Sequence, residues 1–138
     1  MLNTRIIPIL LLKNGGLVKI IKFSKPQYLG DPINAIKIFN DKGIDELILL
    51  DIDATIKKNE PDYKLLEKIS SECFMPLCYG GGITKIEQIR RIINIGIEKI
   101  SLNTYAYINN GFVKECSELF GSQSIVVSID VKKKLFND

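Results

Sequence analysis

Histidine is missing from this chain altogether, so imidazole general-base chemistry and His-ligated metal sites are excluded for the chain on its own. Cysteine is scarce. Cys73, Cys78 and Cys116 form no Cys-x-x-Cys pair and sit in apolar contexts, which suits reduced core thiols better than disulfides or zinc. No metal and no cofactor is expected. No apolar run approaches the roughly 20 residues of a membrane span, and Met1 to Lys13 lacks the basic, apolar and small-residue order of a signal peptide. The expected setting is cytoplasmic and away from membranes. Charge of one sign is also in short supply: 19 Lys+Arg against 16 Asp+Glu leave a net +3. The lysines are scattered except for Lys132-Lys133-Lys134, which reads as a solvated tail, and no basic stripe points to nucleic acid.

What is present is a chain of 138 residues, 46% hydrophobic, enough for one core but not for two domains. Short apolar runs alternate with amphipathic stretches. Ile6 to Leu12 reads as a first strand, followed by a loop with Asn14-Gly15-Gly16 and by Lys19 to Phe23, read as part of a hairpin rather than a helix. Asp31 as N-cap and Pro32 at the first helical position open a helix that stops at Gly43. Leu47 to Leu50 is a buried parallel-type strand, Pro61 opens a second helix, and Met75 to Tyr79 is the third strand. Ile86 to Ile93 marks a third helix ending at Gly96, Ile100 to Leu102 is strand four, Phe112 to Phe120 a fourth helix and Ile125 to Val131 strand five. Alternation with loops this short means parallel βαβ units.

The tripeptide Gly80-Gly81-Gly82 sits where strand three ends and a helical pattern opens near Thr84. Glycines there let the backbone approach a ligand closely, with helix N-terminal amides aimed at an anion, so the segment reads as a phosphate cradle. Two internal echoes add to this. Gly43-Ile44-Asp45-Glu46-Leu47 matches Gly96-Ile97-Glu98-Lys99-Ile100, and the first strand resembles Val126 to Lys132. The chain looks like half of a twofold-repeated barrel plus one strand; a doubly wound open sheet competes, but its glycine fingerprint usually follows the first strand.

Polar side chains gather at the expected strand ends: Lys13 and Lys19 after strand one, Asp51 and Asp53 after strand two, Asn103 and Thr104 after strand four, and Asp130 at strand five. An amide, a hydroxyl and glycine amides side by side make an anion site. Asn103-Thr104 equally fits a helix-capping pair, and Asp51 and Asp130 equally fit carboxylates that tie down loop amides. The C-terminal mouth of parallel strands is where barrel enzymes put their sites.

Together, Arg5-Ile6-Ile7-Pro8, Gly30-Asp31-Pro32, Leu50-Asp51-Ile52, Gly80-Gly81-Gly82-Ile83, Lys99 to Thr104, Phe120 to Gln123 and Ile125 to Asp130 resemble the cyclase-subunit family of imidazole glycerol phosphate synthase, HisF, along the full chain. The resemblance implies an α/β fold, the N-terminal half of a (β/α)8 TIM barrel with about five parallel strands and four helices, with residues 1–138 as a single incomplete barrel domain. It implies a protein that takes ammonia from a glutaminase subunit and acts on a substrate with two phosphates. Gly81, Gly82, Asn103 and Thr104 would hold one phosphate, Lys19 and Asp51 would join the substrate site, and Asp130 would be one of two acid–base aspartates. Arg5, Glu46 and Lys99 would belong to the charged ring where ammonia enters, although solvated strand-start charges are the plain alternative. Glu98 and Gln123 would face the glutaminase.

One departure decides the functional expectation. Leu11 stands where the family has its other catalytic aspartate, and leucine cannot move a proton; general acid–base catalysis is typically worth about 10²–10⁴-fold. Ile20 also replaces a family glycine in the loop that keeps Lys19 and Phe23. Lost acid–base chemistry with a kept ammonia entrance resembles the divergent paralogues of surface-polysaccharide gene clusters, which pair with a glutaminase homologue and an amidotransferase-like ligase to deliver ammonia for amidating a sugar. An active cyclase of histidine biosynthesis and an inert half-barrel fragment remain the other two readings. Eight strands take about 250 residues, so strand-inward side chains such as Ile7, Ile9, Leu49 and Val127 would need a complementary half-barrel or self-association to cover them.

Overall fold

The computed structural model describes residues 4–22 and 24–131. Phe23 and the Lys132-Lys133-Lys134 run lie outside the described residues. The apolar run Ile9–Lys13 forms β1, and Asn14-Gly15 reverses it at once, both residues holding positive φ (50° and 77°) as a two-residue type I′ turn requires. The return strand β2 is Gly16–Lys19, and β3, Gln27–Gly30, adds a third antiparallel strand. The hairpin is as expected, but its second strand begins at Gly16 rather than near Lys19, because the Asn-Gly pair turns the chain without a loop.

Asp31 caps α1 (Pro32–Lys42), its Oδ1 accepting from the backbone N–H groups of Ile33 at 2.8 Å and Asn34 at 3.3 Å. The chain continues through β4 (Leu47–Asp51), a single-turn α2 (Ala54–Lys57), α3 (Tyr63–Glu72), β5 (Leu77–Gly80), α4 (Ile86–Ile95), β6 (Lys99–Leu102), a short α5 (Thr104–Ile108), α6 (Asn110–Phe120), a 3₁₀ turn over Ser122–Ser124, and β7 (Ile125–Val127). Asp62 rather than Pro61 starts α3, because its carboxylate accepts from Leu65 N at 3.1 Å. The last strand is shorter than expected: Ser128 N donates to Leu102 O at 2.8 Å, and beyond it Ile129 and Val131 are exposed.

The strands form one sheet in the order β3-β2-β1-β4-β5-β6-β7, with β1, β4, β5, β6 and β7 parallel. The expected five parallel strands and four full helices are present, with α2 and α5 as additional short helices. Alternation along each strand sorts the side chains into two faces. One row runs Leu10, Leu49, Tyr79, Ile100, Ile125 across the sheet and packs, with Leu47, Leu77 and Leu102, against Ile36, Leu66, Ile69, Ile89 and Ile92 of α1, α3 and α4. The other face carries the rows Ile9, Ile48, Cys78, Lys99 and Leu11, Leu50, Gly80, Ser101, Val126, none of which joins that core.

Ile9 lies on this second face, 57% exposed, as expected of an inward side chain. Leu49 and Val127 do not. Leu49 is fully buried on the helix side, and Val127 pairs with Leu102 on that same side. The parity of the parallel register decides this: paired residues share a face, so Leu49 must side with Tyr79 and Ile100. Truncating each face should separate them. Leu49→Ala should cost about 2–5 kcal/mol through the cavity it leaves, and Ile9→Ala under about 1 kcal/mol because little of its surface leaves water, read from urea unfolding midpoints.

Candidate functional site

The parallel strands place the sequence-predicted residues at two opposite ends of the sheet. At the C-terminal end, Gly80 pairs with Ser101, so the segment Gly81-Gly82 after β5 lies beside Asn103-Thr104 after β6. Leu50 pairs with Gly80, which brings Asp51 to the other side of the glycines. Asp130 reaches the same place: Asn103 Nδ2 donates to Asp130 Oδ2 at 2.8 Å. Asp51, Gly81, Gly82, Asn103, Thr104 and Asp130 are therefore brought together. Lys19 is not, because β2 runs back from the Asn14-Gly15 turn, away from this end, and pairs Lys19 with Gln27.

The triple glycine does not open a helix. Helix α4 begins four residues after Gly82, at Ile86, behind a cap in which Gln88 Oε1 accepts from Thr84 N at 2.8 Å and Lys85 N at 3.0 Å. Glycine is needed instead for a close passage between backbones. Gly81 holds φ 131°, and a Cβ there would stand 2.5 Å from the Asp51 carbonyl oxygen; one on Gly82, at φ 67°, would stand 2.8 Å from Ala54 Cβ. The strand end thus presses on the β4–α2 connection, and Gly82 N donates to Thr55 Oγ1 of α2 at 3.3 Å.

Asp51 ties down a loop: its Oδ1 accepts from Asp53 N at 3.0 Å and Ala54 N at 3.1 Å. Asn103 stands at the N-cap position of α5 without a side-chain capping bond, its amide being committed to Asp130. Beside them Asp53 is buried between two cations, Lys57 Nζ at 2.7 Å and Lys13 Nζ at 3.5 Å, while Lys57 Nζ also donates to Asn14 Oδ1 at 2.6 Å. The hydrogen bond from Lys57 does most to hold the Asp53 carboxyl below its ordinary 3.8, with Lys13 adding to it against the opposing effect of burial. The Asp53–Lys57 spacing of four was legible as a helix-face pair; nothing in the sequence pointed to Thr55.

At the N-terminal end a second cluster forms. Lys99 Nζ donates to both carboxylate oxygens of Glu46, at 2.7 and 2.8 Å, and Arg5 Nη1 lies 3.7 Å from Glu46 Oε2. Glu46 is only 5% exposed and Lys99 is half-buried, so this pair is more than two solvated strand-start charges, whereas Arg5, its side chain 64% exposed, stays a largely solvated one. Glu46 precedes β4 and Lys99 starts β6, two strands or about 9–10 Å apart, and the residue beside Lys99 on the strand between them is Cys78. A small side chain there lets the long lysine cross to its partner. Burial, with the neighbouring Glu46 charge, pushes the Cys78 thiol up to about 12, far from reactivity.

The internal echo recurs here as geometry. Asp45 Oδ2 accepts from Ile6 N at 2.7 Å and Glu98 Oε2 from Leu77 N at 2.8 Å, each carboxylate capping the entry to the neighbouring strand. Gln123, in the 3₁₀ turn before β7, lies at this same end and is exposed. Among the described residues, no group of three or more His, Cys, Asp or Glu side chains gathers as metal ligands, and no helix is long and apolar enough to cross a membrane.

Residues 5–137 match the family model described as histidine biosynthesis protein. A Vibrio vulnificus protein provisionally named imidazole glycerol phosphate synthase subunit hisF3 is 54% identical over 99% of this chain and 52% of its own length. One from Pseudomonas aeruginosa, provisionally named subunit hisF2, is 53% identical over 96% of this chain and 53% of its own length. The imidazole glycerol phosphate synthase subunit HisF of Methanocaldococcus jannaschii is 44% identical over 100% of this chain and 51% of its own length. The chain spans about half the length of the curated relatives it matches.

Glu46→Ala strands Lys99 and should cost about 3–5 kcal/mol, the range for breaking a buried pair, whereas Arg5→Ala, with its side chain 64% exposed, should cost at most about 1 kcal/mol; chemical denaturation compares them. Asp53 stabilises the fold fully above its unfolded pKa, and that stability is lost as pH falls through its lowered native value. Asp53→Asn should therefore flatten the acid limb of a plot of unfolding free energy against pH, below about pH 4.

Proposed function

The chain belongs to the histidine biosynthesis protein family as a HisF-like member, and from that premise we propose that it is the ammonia-receiving part of a glutaminase-coupled subunit that delivers ammonia to a separate ligase for amidating a surface-polysaccharide sugar instead of closing an imidazole ring. Leu11 carries this reading. It pairs with Leu50 and Val18, in an apolar row, at the position of the family's first acid–base aspartate. Asp130 would be left as the one acid–base carboxylate, with no partner to take or return the second proton.

The lower end supports ammonia entry. Two cations on one carboxylate, Arg5 and Lys99 on Glu46, leave that cluster one positive charge in excess, which disfavours ammonium beside it and tolerates neutral ammonia, while Asp45 and Glu98 at the same end are committed to backbone N–H groups. Beyond it the open face offers Ile48, Leu50 and Leu11, an apolar lining that disfavours a cation further. Glu98 and Gln123, exposed at the same end, would meet the glutaminase homologue. At the upper end, Gly81, Gly82, Asn103 and Thr104 would hold a phosphate of the sugar or other small-molecule substrate, with Asp51 fixing the loop beside them. Lys19 would take part only if the hairpin moved toward that end. Further β/α units, in the same polypeptide or a second copy, would cover the open face.

The identity of the residue at position 11 supplies the test. With ammonia and the histidine-pathway substrate supplied to the protein assembled with its partners, cyclase turnover should be undetectable, and Leu11→Asp should raise it. Turnover of about 1 s⁻¹ or more in the unmodified protein would overturn the proposal and favour the histidine-pathway cyclase.

A further inference from the structure

Two donors of the proposed anion site are already in use. The Gly82 N–H goes to the hydroxyl oxygen of Thr55, at 3.3 Å, and the Asn103 amide goes to the Asp130 carboxylate, at 2.8 Å. Thr55 and Asn103 are exposed, so water could have served each partner equally well. Asn103 is also the N-cap residue of α5, yet its side chain leaves the α5 amides alone and turns to the end of the sheet beyond β7. An Asn at that position ordinarily caps with its oxygen; here the arrangement places its NH₂ group on the carboxylate.

We infer that Thr55 and Asp130 act as internal stand-ins for the anion, so that a phosphate entering between Gly82 and Asn103 displaces them and sets the Asp130 carboxylate free. The inference rests on the anion site proposed above and concerns how that site is coupled to its neighbours. A phosphate oxygen is a charged acceptor and outcompetes a neutral hydroxyl for Gly82 N–H. The Asn103 NH₂ group has a second N–H, so against Asp130 the competition is electrostatic: two anions held at one amide repel, and that makes joint occupancy costly. Occupancy therefore moves Asp130 from a hydrogen-bonded state to a free one. The carboxylate that could do acid–base work becomes available only when the substrate's phosphate is seated. Thr55 is on this reading a positioning residue, since it touches the donor and not the reacting atoms.

The test is a titration of the protein with inorganic phosphate, followed through the backbone amide signals of Gly81 and Gly82 and the side-chain amide signals of Asn103. Thr55→Val keeps the shape and removes the acceptor, and should tighten phosphate binding by about 2- to 10-fold, the factor one net hydrogen bond carries. Asp130→Ala should tighten it as well, and this gain should vanish in an Asn103→Ala background if it passes through the amide. A gain that persists undiminished in that background is a pure charge effect and overturns the Asp130 part. Weaker binding in Thr55→Val means the hydroxyl is itself a ligand and overturns the Thr55 part. Phosphate that binds the wild type but ignores both substitutions overturns the inference and leaves the anion site standing. Phosphate that moves none of these signals in the wild type removes the site and the inference together.

Discussion

Side-chain parity in the parallel sheet governs where every functional group of this fold can stand. Four parallel pairings in register make each side chain share a face with its neighbours on both sides, so one decision about which face the helices cover fixes the environment of every strand residue. The helices took the Leu10, Leu49, Tyr79, Ile100 row, and that row became the core. Glu46 and Lys99 then fall on the other face at the strand entrances, and both can turn toward one another past Cys78. Had the covered row been the alternate one, Lys99 would point into the helix layer, where an ammonium group could not stay charged without a partner. The ion pair at the lower end is a consequence of the same parity that buries the leucines.

Repetition extends this logic. The segments Gly43-Ile44-Asp45-Glu46-Leu47 and Gly96-Ile97-Glu98-Lys99-Ile100 each end a helix on a glycine in the left-handed region, at φ 64° and 108°, and each enters a parallel strand with a carboxylate that accepts a backbone N–H from the neighbouring strand's entry. Strand entrances in a parallel sheet leave such donors unpaired, and an acid two residues after the glycine is at the right height to take one. The next position then splits the repeat: it holds Glu46 in one copy and Lys99 in the other, and these opposite charges join across the intervening strand. One backbone solution used twice, with charge reversed at a single position, produces the paired cluster.

What was legible in the sequence is whatever is local or periodic. The caps at Asp31 and Pro32, the helix stops at Gly43 and Gly96, the strand–helix alternation and the presence of a hairpin after the first strand all follow from interactions within a few residues. Parity was not legible. In the all-apolar run Leu47-Ile48-Leu49-Leu50 either alternate set could face the helices, and only pairing with Tyr79 and Gly80 on the next strand puts Leu49 in the core and Leu50 on the open face. The short helices α2 and α5 carry no periodic signal because a single turn has no second turn to repeat. Lys19 stands at the end of its strand in sequence but away from the site in space, a displacement set by the direction in which the hairpin folds back. The triple glycine was legible as a special backbone, while its immediate cause, the pressure of the Asp51 carbonyl and Ala54, depends on a segment that precedes it by a whole β/α unit.

Leu11 shows how stability and chemistry oppose one another at such a site. An aspartate there would sit between Leu50 on one side and Val18 on the other, half-buried in an apolar row with few groups to solvate its charge. Holding a carboxylate in that row costs free energy, which in a ring-closing enzyme is offset by acid–base catalysis. Leucine is the better residue for packing there, and it makes the open face continuously apolar from Ile9 through Leu11. On the proposed function, leucine gives up acid–base chemistry and suits the lining to neutral ammonia. The charged entrance behind it is under no such relaxation: deleting Glu46 would leave the half-buried Lys99 without its close counter-charge, and deleting Lys99 would leave the buried Glu46 carboxylate with Arg5 alone, 3.7 Å away, so the pair is held there by the fold itself.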